Sequence, residues 1–235
     1  MSAHEQVKEI LDRVRKDKRN ILLEPEAKAV LSSYGCTVTK EKVATSAEEA
    51  ASFARELGFP VVAKVVSPEI IHKTDAQCVK VNLQNTEKVE GAYHEIMANA
   101  RAYNKNARIE GVLLYHMVNG GEEVIIGLAT DPTFGKVIMF GLGGIWVEIM
   151  KDVSFRIVPL SRQDARDMVE EIKGYPLLTG IRGRSVKDIN ALCDMLVQVS
   201  KLAQASEEIR EMDLNPVFVM DKGAIIADAR IILDA

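Results

Sequence analysis

The chain has 235 residues, enough for one large domain or two small subdomains. Its 47% hydrophobic and 27% charged residues are typical of a globular protein, and a net charge of −4 argues against a nucleic-acid or anionic membrane surface. The cysteines at 36, 78 and 193 are far apart, which favours reduced thiols over a disulfide framework or a zinc site. The charged N-terminus lacks the apolar core of a signal peptide, and the longest apolar stretch, 137–150, is shorter than a membrane helix. We therefore expect a soluble cytoplasmic protein without a membrane or nucleic-acid partner.

The first half of the chain alternates helical and strand-like patterns. Residues 2–19 are charged with a thin apolar stripe, which predicts either an exposed arm or a helix that docks on another surface. Ser46 and Glu49 form a capping-box pattern for a helix that ends at Gly58. The other predicted elements are helices over 24–34 and 86–103 and strands over 36–39, 61–66, 78–83 and 111–118.

The second half opens at the glycine pair 120–121, the best candidate hinge. Residues 131–135 predict a turn, and Ser161 and Ser185 predict helix starts. The predicted strands cover 123–129, 136–140, 209–213, 217–220 and 224–232. Because strands and helices mix irregularly, the chain predicts an α+β protein rather than a regular doubly wound sheet.

The hinge divides the chain into predicted parts. We assign residues 1–20 to a charged helical arm, 21–119 to a first subdomain and 120–235 to a second. The first subdomain then carries the strand 61–66 with its following loop, and the second carries the polar stretch 210–216.

The loop around His72 carries the strongest local signal. It follows the β-branched run 61–66 and a proline, a pattern that predicts a loop at the end of a buried strand. Lys64 interrupts this strand, and Asp75 lies close to His72 in the sequence. Neutral imidazole is a competent nucleophile toward phosphorus, so the pattern indicates phosphate handling. The alternative is a polar surface histidine, which is the commoner case.

Oxygen-bearing side chains alternate near the C-terminus. Glu211, Asp213 and Asn215 fall on one face of a predicted strand, and their oxygens suit a hard cation such as Mg²⁺. The alternative is a solvated polar face before a proline turn. Glu148 follows a glycine-rich stretch and could share a metal with Asp213.

Glycines and arginines mark two further candidate sites. Gly143 and Gly144 would let backbone amides approach phosphate oxygens, although a tight turn needs the same glycines. Arg182 and Arg184 precede the helix predicted at Ser185, where they form either an oxyanion site or a basic surface loop.

These motifs, in this order, closely resemble the β subunits of ADP-forming acyl-CoA synthetases from about Leu22 to the end of the chain. The resemblance implies the ATP-grasp fold, in which two α+β subdomains clamp a nucleotide. The motifs are Pro60-Val-Val-Ala-Lys64, Ile71-His-Lys-Thr-Asp75, Gly127-Leu-Ala-Thr-Asp-Pro-Thr-Phe-Gly135, Gly141-Leu-Gly-Gly-Ile-Trp-Val-Glu148, Leu177-Leu-Thr-Gly-Ile-Arg-Gly183 and Glu211-Met-Asp-Leu-Asn-Pro216.

The resemblance also implies a reaction and a partner. The reaction is acyl-CoA + ADP + phosphate ⇌ carboxylic acid + CoA + ATP, with acetate as the acid in acetyl-CoA synthetases. The acyl phosphate forms on a separate α subunit that carries the CoA-binding domain and its own phosphohistidine, and the two subunits are expected to form an α2β2 heterotetramer.

Roles in the reaction transfer to individual positions through the motifs. His72 matches the β-subunit histidine that carries the phosphoryl group to ADP, Lys64 matches a lysine on the nucleotide phosphates, and Arg182 matches a phosphate-side arginine. Asp213 has catalytic and metal-binding roles, with Asn215 as a second Mg²⁺ ligand and Glu148 as a further acid facing the metal.

The nucleotide base has its own set of expected contacts. Backbone groups at His116, Met117 and Val118 would hold the adenine, with Glu123 nearby and Gly143 and Gly144 also binding the nucleotide. At 76–78 this chain has Ala-Gln-Cys where many members of the family have Val-Gly-Gly, which predicts a stiffer His72 loop. At 122 it has glutamate where members of the family often have arginine.

Other assignments of the same motifs are a regulatory nucleotide-binding ATP-grasp module of an acyl-CoA synthetase-like protein and a succinyl-CoA synthetase-type β chain. The presence of His72, Lys64, Asp213 and Asn215 together weighs against a silent module. A plain ATP-grasp ligase does not explain the motif Ile71-His-Lys-Thr-Asp75.

Overall fold

The computed structural model describes residues 2–144, 151–183 and 185–234. None of the described helices is both long and apolar enough to cross a membrane. The helices are α1 (Ala3–Lys16), α2 (Glu24–Ser33), α3 (Ala47–Leu57), α4 (Thr86–Tyr103), α5 (Arg162–Glu171), the short α6 (Tyr175–Leu178) and α7 (Ile189–Ala205). The strands are β1 (Glu41–Ala44), β2 (Val61–Val66), β3 (Val79–Leu83), β4 (Gly111–His116), β5 (Glu122–Asp131), β6 (Gly135–Leu142), β7 (Val153–Ile157), β8 (Ile209–Val219), β9 (Ala224–Ile226) and β10 (Arg230–Leu233).

The chain folds into two compact units. The larger unit joins Met1–Val38 to Gly120–Ala235, and the smaller unit is Thr39–Asn119. The limit after residue 119 coincides with the hinge expected from the sequence. Residues 21–38, which the sequence analysis assigns to the first subdomain, pack instead with the larger unit.

The N-terminal helices explain this difference. Val7, Leu11 and Val14 of α1 are buried in the same core as Val30 and Leu31 of α2, and this core also contains side chains of β5, β6 and β8. Of the two alternatives for residues 2–19, the structure therefore shows a docked helix. Its apolar stripe is covered within its own chain.

The larger unit is built on an antiparallel sheet with the order β10-β8-β5-β6-β7, and β9 pairs with β8. Val124, Ile126 and Leu128 alternate along β5 and enter the core together with Phe140 of β6. Helix α7 packs into the same core. The opposite face of the sheet carries Gly127 of β5 and, paired with it, Asp213 of β8.

Strand β8 is continuous through Pro216, whereas the sequence predicts two separate strands. Val124 pairs with Val217 and Ile126 with Leu214, so β8 contains one extra residue at this point. Leu214 and Val217 are both fully buried. A β-bulge thus places Asn215 and Pro216 outside the core while the core pattern continues on both sides.

The smaller unit is an antiparallel sheet with the order β1-β4-β2-β3. Val61, Ala63 and Val65 of β2 pack in the core under α3 and α4. The other face of β2 is also buried, including Lys64. Because both faces are covered, β2 reads as a continuous apolar run broken only by this lysine.

The α+β prediction is confirmed, with differences at several element boundaries. Residues 36–39 form only an isolated bridge between Val38 and Ile226 instead of a strand. The sequence missed the edge strands β1 and β7, because short edge strands lack a continuous apolar run. The predicted strand 224–232 is two strands, β9 and β10.

Helix α7 begins at a different cap from the one predicted. Ser185 donates to the Asp221 carboxylate over 2.6 Å, and Asp188 is the N-cap residue. The Asp188 carboxylate accepts the Ala191 N–H over 3.0 Å and the Gly223 N–H over 2.8 Å. These two backbone donors hold the pKa of the Asp188 carboxyl below its ordinary value of 3.8.

The three cysteines are buried and free, as expected for packed thiols. Burial raises the pKa of Cys36 to about 12. Burial also raises the pKa values of Cys78 and Cys193. The thiols are therefore protonated at neutral pH and pack as small hydrophobic groups.

A buried ion pair in α2 supports the larger unit, and its removal should be costly. The Lys28 ammonium lies 3.0 Å from Glu24, and the two side chains expose 2% and 1% of their surfaces. Lys28→Met should lower the free energy of unfolding by about 3–5 kcal/mol, because it leaves a buried carboxylate without this cation. Denaturant unfolding measures the loss. Lys8→Met, on the exposed side of α1, should change stability by less than about 0.5 kcal/mol, and an equally small effect at Lys28 would contradict the prediction.

The Asp188 cap predicts a pH-dependent contribution to stability. A lowered folded-state pKa means that the stabilisation is present above the unfolded value of 3.8 and is lost as the pH falls through the folded value. Asp188→Ala should therefore lower the free energy of unfolding by about 1 kcal/mol at pH 7, and the difference should shrink in acid below the ordinary pKa. Unfolding curves at several pH values measure this. Asp188→Asn, which retains a capping oxygen, should be nearly as stable as wild type at pH 7. A loss of stability in Asp188→Ala that does not change with pH would refute the carboxylate's role.

Candidate functional site

His72 lies on an exposed loop between two buried anchors in the smaller unit. Ile70 and Cys78 are both fully buried, and His72 between them is exposed. Inside the loop, the N–H of Ala76 donates to the His72 carbonyl over 3.1 Å, and the N–H of Cys78 donates to the Lys73 carbonyl over 2.8 Å. The loop therefore has a compact hydrogen-bonded form that presents the imidazole to solvent.

The carboxyl end of this loop is held against α4. The Asn99 side-chain amide donates to the Gln77 carbonyl over 3.0 Å. Gln77 has a φ of +54°, a left-handed conformation that costs a non-glycine residue about 1 kcal/mol. This restrained backbone gives a physical basis for the stiffer loop expected from the sequence.

The root of the loop before His72 is fixed by Glu69. Its carboxylate accepts hydrogen bonds from the Ser67 hydroxyl over 3.2 Å and from the Arg108 N–H over 3.0 Å. The two ends of the His72 loop are thus anchored by Glu69 and Asn99, and the exposed part lies between them.

Lys64 is buried within β2. It exposes only 4% of its surface, and its ammonium lies 5.0 Å from the centre of the Tyr115 ring on the neighbouring strand β4. This distance is within the range of a cation–π interaction. The interaction helps to accommodate a charge inside an otherwise apolar strand.

The segment 116–118 is more accessible than its sequence indicates. His116 is exposed at the end of β4, and its Nδ1 lies 2.8 Å from the Gly58 carbonyl oxygen. The strand emerges from the core at this residue. The Met117 N–H already donates to the Pro60 carbonyl over 2.8 Å, so this donor is engaged within the fold.

In the larger unit the structure brings Glu123, Gly143 and Gly144 together. The Gly143 N–H donates to the Glu123 carbonyl over 2.7 Å. A Cβ added to Gly144 would lie 3.7 Å from the Glu123 carboxylate. The glycine pair therefore follows the backbone of Glu123 closely, and a Cβ at Gly143 would make tight contacts of 3.1–3.2 Å with Glu123.

Glu148 lies outside the described residues, and Asp152, close after it in the sequence, is well anchored. One Asp152 carboxylate oxygen accepts the Lys173 N–H over 2.8 Å, and the other accepts the Gly174 N–H over 2.7 Å. A Cβ on Gly174 would come within 2.1 Å of Leu142, so glycine is required for this close packing.

Arg182 belongs to a short 3-10 turn, Ile181–Gly183, before α7. Its side chain and the whole of Arg184 lie outside the described part of the chain. The following segment is tied to the β8–β9 turn, because the Lys187 ammonium lies 2.8 Å from the Asp221 carboxylate.

Asp213 occupies the middle of the sheet in the larger unit. It pairs with Gly127 of β5 on one side and with Arg230 of β10 on the other. Burial raises the pKa of the Asp213 carboxyl, and Asp228 raises it further, while the nearby Arg230 guanidinium, at 3.2 Å, lowers it. A partly desolvated carboxylate next to a glycine is accessible to a cation or ligand on that face.

Asp228 is a further candidate ligand that the sequence does not single out. The pairs Val217–Ile226 and Asp213–Arg230 keep one register, which places Asp228 opposite Asn215. The available signal was the alternation of Asp228 and Arg230, which share a face in an extended segment. The segment has the pattern of a plain closing strand, which by itself does not indicate that its acid is a ligand.

The oxygen donors fit a magnesium ion that completes its shell with other ligands. No cluster of three or more acidic, histidine or cysteine side chains suited to a metal occurs among the described residues. Asp213, Asn215 and Asp228 supply two carboxylates and an amide. Mg²⁺ commonly takes one or two protein carboxylates and fills its octahedron with waters and substrate phosphates, so this set is suitable.

A groove of about 680 Å³ lies beside Asp213 on the same sheet face. A volume of this size is typical of small-molecule sites. Its walls are mainly apolar, with Asp213 among the few charged groups. The lining includes Gly127, Ala129, Val137, Met139, Phe155 and Met212.

The contact at Gly143 yields a prediction on stability. A Cβ at this position would lie 3.1 Å from the carbonyl carbon and from the Cβ of Glu123. Gly143→Ala should therefore lower the free energy of unfolding by about 1–3 kcal/mol, the range for overpacked sites. Thermal or denaturant unfolding measures the change. Gly91→Ala is the matched control, because its Cβ would meet no atom within 4 Å; equal stabilities for the two variants would count against the contact.

Comparisons with known proteins agree with this architecture. Residues 13–233 match the model of the ATP-grasp domain family. The β subunit of acetate–CoA ligase [ADP-forming] I from Pyrococcus furiosus is 50% identical over 226 residues, which cover 96% of this chain and 97% of that protein.

Solved structures also match this chain over nearly its whole length. The dinucleotide-forming acetyl-coenzyme A synthetase 1 of Ca. Korarchaeum cryptofilum, in complex with coenzyme A and Ca-AMPCP, has a TM-score of 0.93 at 50% identity over 97% of this chain and 99% of that chain. Another structure of that enzyme has a TM-score of 0.85 at 47% identity, covering 97% of this chain and 100% of that chain. It contains coenzyme A and Mg-AMPPCP, with its phosphohistidine segment pointing towards the nucleotide binding site. The predicted ATP-grasp fold is confirmed, and the chain belongs to the ATP-grasp family and, within it, to the β subunits of ADP-forming acetate–CoA ligases.

Proposed function

We propose that this chain is the nucleotide-binding β subunit of an ADP-forming acyl-CoA synthetase that interconverts acetyl-CoA, ADP and phosphate with acetate, CoA and ATP. The match at 50% identity along nearly the whole of a β subunit carries the proposal. The exposed His72 loop between buried anchors supports it, because a phosphoryl carrier needs an accessible imidazole on a segment with fixed ends.

His72 is the proposed phosphoryl carrier. One imidazole nitrogen attacks phosphorus, and a new P–N bond forms as the bond from phosphorus to the donor histidine of the partner breaks. An oxygen of the ADP β-phosphate then attacks the same phosphorus, and the His72 imidazole leaves. Each transfer requires in-line positioning and charge neutralisation more than further covalent chemistry.

Cationic side chains supply the proposed charge neutralisation. Lys64 would contact the nucleotide phosphates, and its burial strengthens that attraction because little water screens the charge. Arg182 would act on the phosphate side. Asp213 would complete the catalytic set by orienting the cation near the reacting phosphates.

Mg²⁺ is the proposed cofactor, with ADP or ATP as substrate. Asp213 and Asn215 are its proposed ligands, Glu148 is a further acid for the same ion, and Asp228 joins them because of its register position. The ion would neutralise phosphate charge when bound.

The adenosine part of the nucleotide would lie against backbone groups of His116, Met117 and Val118. Met117 contributes through its carbonyl oxygen in this proposal, since its N–H donates to Pro60. Glu123 is close enough to the glycine pair to hold ribose hydroxyls while Gly143 and Gly144 approach the phosphates.

The partner in this proposal is an α subunit that carries the CoA-binding domain and its own phosphohistidine, in an α2β2 heterotetramer. We place the complex in the cytoplasm, where buried protonated thiols such as Cys36 remain reduced. The net charge of −4 gives no attraction to nucleic acid or to anionic membranes.

The phosphoryl carrier can be tested directly with γ-³²P-labelled ATP and Mg²⁺. The wild-type chain should acquire acid-labile, base-stable label, the signature of phosphohistidine, and His72→Ala should acquire none. His94→Ala, an exposed histidine on α4, is the matched control and should be labelled like wild type.

Two results would count against the relay. Equal labelling of wild type and His72→Ala would show that another residue is modified. Absence of label from the wild-type chain, even with an α partner present, would remove the relay and favour the regulatory nucleotide-binding module.

A further inference from the structure

Lys64 and Tyr115 are diagonal neighbours on one face of the smaller unit's sheet. Strands β2 and β4 pair Val62 with Tyr115 and Lys64 with Leu113, so the lysine and the tyrosine project to the same side. The Lys64 ammonium lies 5.0 Å from the centre of the ring. Both residues are buried, with 4% and 6% of their surfaces exposed.

An aromatic ring acts on the ammonium differently from a carboxylate. The ring face attracts the cation through its quadrupole and leaves the net positive charge in place. A carboxylate at the same point would neutralise the ammonium and repel an incoming phosphate. The ring can therefore orient the Lys64 ammonium without itself neutralising the charge.

The position of Tyr115 suits this role. Strand β4 lies between β1 and β2 in the sheet, so its backbone is held on both sides. A buried ring on a central strand has little freedom to move. Such support from a rigid element is what keeps a functional side chain in its productive geometry.

We infer that Tyr115 is a positioning residue that holds the Lys64 ammonium, through the face of its ring, for the phosphates of a nucleoside diphosphate. This inference rests on the proposed function, since it takes Lys64 as a phosphate contact. The ring face is the acting group, so phenylalanine should replace tyrosine and an aliphatic residue should not.

The test is equilibrium binding of ADP with Mg²⁺ to the purified chain. Tyr115→Phe should bind within about twofold of wild type, and Tyr115→Leu should bind about tenfold more weakly. In a Lys64→Met background, Tyr115→Leu should cause no further loss, because the group that it positions is gone. Tyr103→Leu, at an exposed tyrosine of α4, is the control and should bind like wild type.

Each outcome decides between the alternatives. Equal losses for Tyr115→Phe and Tyr115→Leu would overturn the inference and indicate that the hydroxyl is the acting group. The same loss with and without Lys64 would also overturn it and leave a packing role. Tyr115→Met, which preserves most of the side-chain volume, serves as a second aliphatic variant where Tyr115→Leu does not fold. Wild-type chain that binds no ADP would overturn the proposed function and this inference together. ADP binding that is unaffected by Tyr115→Leu would overturn the inference alone.

With the complete enzyme, Tyr115→Leu should raise the KM for ADP about tenfold with little change in kcat.

Discussion

The double pairing of β8 is the constraint on which the candidate metal site depends. Hydrogen bonds to β5 on one side and to β9 and β10 on the other fix its register. A slip by one residue would expose Leu214 and drive Asp213 into the apolar core. The core therefore determines where the carboxylate stands, and Asn215 and Asp228 follow from the same register. The bulge at Asn215 and Pro216 releases two residues from the core at the point where ligands are needed.

The smaller unit meets a different constraint, a charged lysine inside a strand that is buried on both faces. Burying an ammonium is unfavourable unless nearby groups compensate for lost water. The Tyr115 ring provides one such group without cancelling the charge. The same arrangement that makes Lys64 tolerable in the fold keeps it electrostatically active. The contact between Lys64 and Tyr115 thus bears on both stability and the proposed chemistry.

The His72 loop combines fixed ends with an exposed centre. Ile70 and Cys78 are buried, and Glu69 and Asn99 add hydrogen bonds near the two ends. Gln77 holds a left-handed conformation that glycine would adopt without strain. The loop therefore combines an accessible histidine with more restraint than a glycine pair would give.

The sequence by itself determined the α+β class and most element positions, because apolar periodicity is a local property of the chain. Its ordered motifs, through their resemblance to a known family, indicated the ATP-grasp fold. It also identified Lys64 in a buried strand and His72 on the loop that follows. Only the tertiary structure decided that residues 21–38 pack with the larger unit, that β8 runs through Pro216 and that α7 starts at Asp188. It alone brought Asp228 opposite Asn215 and Tyr115 beside Lys64, because pairing between strands joins residues whose separation in the sequence carries no pattern.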